Sequence, residues 1–97
     1  MKFDITLLPS AEGDLDHYKA YEQRIILQAL STFLAVDADV ESKRRKHLRP
    51  NPVAPWELRI GAFRAFYEIV EDRDVRVLAI GHKEHNDLFI RGEKVEL

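Results

Sequence analysis

The 97-residue chain contains no cysteine, which excludes disulfides, thiolate nucleophiles and cysteine-ligated zinc and accords with a reducing compartment. No apolar run approaches the roughly 20 residues needed to cross a bilayer. Residues Met1 to Ser10 also lack the basic start and long apolar stretch of a secretory leader, so a cytoplasmic protein with no membrane partner is expected. Glycine is scarce, at four residues, and none belongs to a phosphate-cradling loop or dinucleotide fingerprint; the metalloprotease motif is missing too. There are no internal repeats and no low-complexity segments. What remains is ordinary for a folded protein, 45% apolar and 33% charged. That is too apolar for disorder and too short for two cores, so residues 1–97 are expected to form a single domain.

The formal net charge of −2 conceals an asymmetry. Residues 1–42 carry three basic and eight acidic side chains, residues 43–64 seven basic and one acidic, and residues 65–97 five basic and eight acidic. A compact basic block in an acidic chain suggests a local polyanion site; a solvated charged loop explains it equally well. Its densest part is Lys43, Arg44, Arg45, Lys46 and Arg49. These read as a loop, because Pro50, Pro52 and Pro55 follow within six residues and forbid regular structure there.

Hydrophobic spacing supplies the elements. Phe3, Ile5 and Leu7 alternate with polar residues, the period of a half-buried strand. Pro9 ends it, and Ser10 is the expected N-cap of a helix whose first turns carry Glu12, Asp14 and Asp16. Near Lys19 to Tyr21 the chain continues or turns into a longer helix, with Tyr21, Ile25, Ile26, Ala29, Leu30, Phe33 and Leu34 on a wide stripe; it is expected to end at Asp37 to Asp39. After the prolines come three strands: Trp56 to Ile60, Phe63 to Val70 beyond the tight Gly61-Ala62 connection, and Val75 to His82 beyond the polar turn Glu71-Asp72-Arg73-Asp74. Leu88 to Ile90 add a short fourth piece before a charged tail. The fold class is α+β: an N-terminal strand and two helices packed on one face of an antiparallel three- to four-stranded meander, the other face left open for a ligand. The expected core includes Trp56, Leu58, Ile60, Ile25, Leu30 and Phe33.

Period-two geometry sets Glu57 and Arg59 opposite Trp56, Leu58 and Ile60, and Arg64 begins the adjacent strand. Two neighbouring arginines would repel unless an acid such as Glu57 or Glu68 neutralises them, or unless they clamp a phosphate, for which guanidinium is well shaped. The third strand delivers His82, Lys83 and His85 at its end, and imidazole suits proton transfer near neutral pH. His82 and His85 leave a strand beside Lys83, which makes them a poor metal pair, so no metal or cofactor is expected. Phosphate-holding cations and proton-moving histidines together would suffice for metal-free RNA cleavage, in which the ribose 2′-OH attacks the neighbouring phosphorus.

The segments Trp56-Glu57-Leu58-Arg59-Ile60, Phe63-Arg64-Ala65-Phe66-Tyr67 and Val77-Leu78-Ala79-Ile80-Gly81-His82-Lys83, within this order of elements, resemble the RelE/ParE toxin superfamily of bacterial type II toxin–antitoxin systems, and its RelE-like branch in particular. The resemblance spans essentially the whole chain. It implies a toxin that inhibits translation by cutting mRNA, on the ribosome or free of it. It also implies an antitoxin partner that masks the basic face, with operator DNA bound only through the toxin–antitoxin complex. Arg59 falls where the family places a cation toward the RNA, Arg64 at the family's phosphate-stabilising arginine, Lys83 at the place of a catalytic arginine, and His82 before it. Two departures stand out: Glu57 replaces a lysine and Phe89 lies near the place of a catalytic tyrosine, leaving proton transfer to His82, His85 or a lysine. ParE-like members of the same fold poison DNA gyrase, and a degenerate member would only bind antitoxin; fold does not choose among these.

Overall fold

The computed structural model describes residues 2–71 and 73–97; Asp72, in the polar turn expected at 71–74, lies outside them. The N-terminal alternation forms β1 (Asp4–Leu7), followed by α1 (Pro9–Leu15) and α2 (Ala20–Leu34). The strands β2 (Arg45–His47), β3 (Trp56–Ile60), β4 (Phe63–Val70), β5 (Asp74–Glu84), β6 (Asp87–Ile90) and β7 (Glu93–Val95) then run as one meander in chain order. The α+β class is as expected, with more strand than the sequence suggested. Part of the basic loop is β2, paired antiparallel with β3, and the charged tail holds β7, paired with β6.

Several local expectations are corrected. Pro9 opens α1 rather than only ending β1, because its fixed φ and missing N–H suit the first helical position. Leu8 is therefore the N-cap, and the Ser10 hydroxyl donates instead to the Leu78 carbonyl at 2.8 Å. A separate α2 does begin after the break, where the Lys19 N–H donates to the Glu22 carboxylate at 3.0 Å. It stops at Leu34, short of Asp37. Its buried stripe is Ile26, Ala29, Leu30 and Leu34, whereas Ile25, expected in the core, is 48% exposed.

β5 organises the sheet. Along one edge it pairs with β4 throughout; along the other, Asp74–Val77 pair in parallel with β1 and His82–Glu84 pair with β6. The stretch between has no strand beside it, and α1 with its lead-in fills the gap. Leu8 N–H donates to the Val77 carbonyl at 3.0 Å, Ser10 to Leu78, and the Ile80 N–H to the Asp14 carboxylate at 3.0 Å. Asp14 is 5% exposed and also accepts from the Arg91 guanidinium at 2.7 Å. These bonds satisfy backbone groups that an interrupted ladder would leave bare.

The main core lies between helices and sheet and includes Leu30, Leu58, Tyr67, Val75, Val77 and Ile80, with Trp56 and Phe33 partly buried against it. The other face is not wholly open. Phe66, Ala79, Leu88 and Ala54 form a second small cluster there, packed by Leu48, Val53, Leu78, Ile90 and Val95 from the proline-rich loop and the C-terminal strands.

Candidate functional site

Strand pairing decides which candidates meet. Lys46 is opposite Glu57, Glu57 opposite Phe66, Arg59 opposite Arg64, and Arg64 opposite Gly81. Cross-strand partners share a face, so Lys46, Glu57, Arg59 and Arg64 stand together on the face away from the helices, as the two-residue period suggested. Lys83 faces the same side by alternation from Gly81 and by its pairing with Leu88 of the second cluster, its Nζ donating to the Asn86 carbonyl at 3.5 Å at the hairpin tip. A Cβ on Gly81 would collide with the Phe89 carbonyl, so glycine is needed where β5 and β6 approach beside this site.

Glu57 is the centre of the group. It is 4% exposed, and its carboxylate accepts from the Arg59 guanidinium at 3.2 Å. Its other oxygen lies 3.7 Å from Arg64 Nε. Arg64 is fixed through Nη1, which donates to the carbonyls of Gly61 at 2.7 Å and Phe63 at 2.8 Å. Its Nε is buried and has no hydrogen-bond partner among the described residues. Burial pulls the Arg64 guanidinium below its usual value; Glu57 opposes that pull and Arg59 adds to it. Arg64 is thus a rigid cation with one unsatisfied donor, while the Arg59 side chain, 48% exposed, lies over the carboxylate from the solvent side.

The histidines lie elsewhere. His82 is on the helix face, where Nδ1 lies 2.7 Å from the Tyr18 hydroxyl, Nε2 lies 2.6 Å from the Glu84 carboxylate, and the ring stacks on Phe89. Its placement follows from a bulge. Tyr67 pairs with Val77 but Phe66 with Ala79, so Leu78 is an extra residue that reverses the facing of everything after it. Val77, Ile80 and His82 consequently face the helices, while Ala79, Gly81 and Lys83 face away. His85 sits at the exposed hairpin tip with φ at 53°. Burial, with nearby Asp14, Glu22 and Glu84, pushes the Tyr18 phenol up to about 12, so it stays neutral beside His82.

The basic block divides as well. Arg45 points into structure, donating to the carbonyls of Val40 at 2.8 Å and Phe33 at 3.0 Å. Arg44 lies over the Phe33 ring, 4.5 Å from its centroid. Lys43 and Arg49 are exposed. Among the described residues no three His, Asp or Glu side chains converge as metal ligands would, and no helix is long and apolar enough to cross a membrane.

Two helices on one side of a meander, and a cationic cluster around one buried acid on the other, define this small α+β domain. A family model described as the ParE toxin of the type II toxin–antitoxin system parDE matches residues 5–87, and the chain belongs to that family of toxins, within the RelE/ParE superfamily. A chain of the toxin–antitoxin complex RelBE2 from Mycobacterium tuberculosis superposes with a TM-score of 0.73 over 86% of this chain and 93% of that one. At 18% identity this likeness is one of fold. No curated protein matches the sequence.

Proposed function

We propose that this toxin is an mRNA endoribonuclease whose RNA site is the sheet face bearing Lys46, Arg59, Arg64 and Lys83. The observation that carries the reading is the state of Arg64: half-buried, held rigid by two hairpin carbonyls, and paired through Nε with the Glu57 carboxylate at 3.7 Å, beyond hydrogen-bond reach. A preorganised guanidinium is what the charge of a pentacoordinate phosphorus transition state requires. Arg59 and Lys83 support it, and Lys43, Arg44, Lys46 and Arg49 supply sequence-independent affinity for the RNA backbone. The attacking group is the substrate's own 2′-OH, so the products carry a 2′,3′-cyclic phosphate and a 5′-OH, and no metal is needed for the step. The cognate antitoxin neutralises the toxin by covering this face.

Inhibition of DNA gyrase is the competing reading. It is favoured by the description of the family and by Glu57, which engages the same arginines that phosphate would need. The test is purified toxin with mRNA, with and without ribosomes and a chelator, alongside a gyrase supercoiling assay. Cleaved RNA with cyclic-phosphate ends and unaffected supercoiling supports the nuclease. Intact RNA with blocked supercoiling replaces it with the gyrase reading.

A further inference from the structure

The nuclease reading needs a group to take the 2′-OH proton, and His82 is turned to the other side of the sheet. We infer that Glu57 is the general base, and that Arg59 uncovers it when RNA binds; this rests on the nuclease reading. Three observations lead there. First, Glu57 is the acid set among the cations of this face. Glu68 lies two rungs beyond Phe66 and is paired across the strands with Arg76, on the order of 13 Å along the strand from Arg64 at about 3.3 Å per residue. Asp87 is held by Lys94 at 3.5 Å. Second, its burial has no structural explanation like that of Asp14. It accepts no backbone N–H among the described residues; its partners are the two arginines. Burying a carboxylate is costly unless its partners compensate.

Third, the two arginines differ in freedom. Arg64 is pinned to its own hairpin, whereas Arg59 is half exposed and holds Glu57 by one hydrogen bond. A phosphate that draws Arg59 outward gains a cation and, by the same movement, frees a carboxylate oxygen beside the scissile group. The step then balances. Glu57 takes the 2′-OH proton as the 2′-oxygen bonds to phosphorus, Arg64 stabilises the phosphoryl oxygens, and the bond to the 5′-oxygen breaks as that oxygen receives a proton from the Lys83 ammonium. The products are the cyclic phosphate, a 5′-OH, protonated Glu57 and a neutral lysine, the last two reset by solvent.

A base and a mere counter-ion answer oppositely to loss of charge. Removing the carboxylate charge frees both arginines for phosphate in either case, so RNA affinity should hold or rise. Only a base makes cleavage fall. The experiment uses the full-length toxin, with ribosomes if the wild type requires them, and a ribo-oligonucleotide carrying a 2′-deoxy residue at the cut site to measure binding separately. Glu57→Gln is expected to bind this oligonucleotide at least as tightly as wild type and to cleave the all-ribo substrate about 100- to 10,000-fold more slowly in single turnover. Glu57→Gln that cleaves as fast as wild type, or faster, overturns the inference while leaving the nuclease intact. A wild type that cuts no RNA overturns both. Should Glu57→Gln lose its cooperative melt, Glu57→Asp decides: it keeps the counter-charge but withdraws the oxygens by one methylene. An intact melt with cleavage at least 10-fold slower supports the base, and unchanged cleavage overturns it.

Discussion

Asp14 and Glu57 are nearly equally buried acids, at 5% and 4% exposure, yet they stand in different surroundings. Asp14 occupies the gap between β1 and β6, takes the bare Ile80 N–H, and binds Arg91 from the C-terminal part of the chain. Every contact it makes closes the fold. Glu57 projects onto the face away from the helices, accepts no backbone N–H among the described residues, and is paired with Arg59 and with Arg64, which is also bonded to its own hairpin. Buried charge alone therefore does not mark a functional site. What separates the two is whether the partners are backbone groups that folding must satisfy or side chains that a ligand could reclaim.

Substitutions at these acids and their partners should separate the two roles. Arg64→Ala should produce the largest effect, a loss of RNA cleavage on the order of 100-fold or more, with a cooperative melt retained; full activity in this variant would remove Arg64 from the transition state. Asp14→Ala should act on stability instead. It leaves the Ile80 N–H unpaired and removes a charge-assisted bond, costing about 2–3 kcal/mol, or on the order of 10 °C in melting temperature for a domain of this size. A melt that does not move would show that the gap in the β5 edge closes without Asp14.

The basic block sharpens the same distinction at smaller scale. Arg45→Ala should lower the melting temperature, because its guanidinium holds the carbonyls that follow and end α2. Neutralising Lys43, Arg44 and Arg49 together should leave the fold in place and flatten the salt dependence of RNA binding by roughly 0.7 in log–log slope per charge engaged. An unchanged slope would take this segment off the RNA path. The smallest expected effect is alkaline. Tyr18 is raised in the folded protein to about 12 from an ordinary value of 10.0, so the unfolded chain loses that proton first. The contribution is intact below pH 10 and is lost as pH rises through the interval to about 12. Urea titrations across that interval should show a shallower loss of stability in Tyr18→Phe than in wild type; identical slopes would mean Tyr18 makes no such contribution.

Much of this architecture was legible in the sequence because two periods are hard to counterfeit. Alternation placed Glu57 and Arg59 opposite Trp56, Leu58 and Ile60, and the tight Gly61-Ala62 connection put Arg64 beside Arg59, as the register shows. What escaped was set by tertiary context. The seven apolar residues of α2 cover more of its circumference than the sheet can bury, so packing chose Ile26 and left Ile25 outside. Ser10 looks like a cap, yet the unpaired edge of β5 offered its hydroxyl another partner. The facing of His82 depends on one extra residue at Leu78, and a bulge of that kind has no signature in a run such as Val75 to His82. Arg45 was grouped with its basic neighbours because charge runs do not reveal which member turns inward.

Cleavage of RNA by the face around Arg64 and Glu57 can be read by mapping transcript ends in bacteria after brief induction of the toxin without its antitoxin. Primer extension should show new 5′ ends inside coding sequences within minutes for wild type and none for Arg64→Ala expressed at the same level. Intact transcripts in wild-type cells whose growth has stopped, accompanied by loss of DNA supercoiling, would contradict the account.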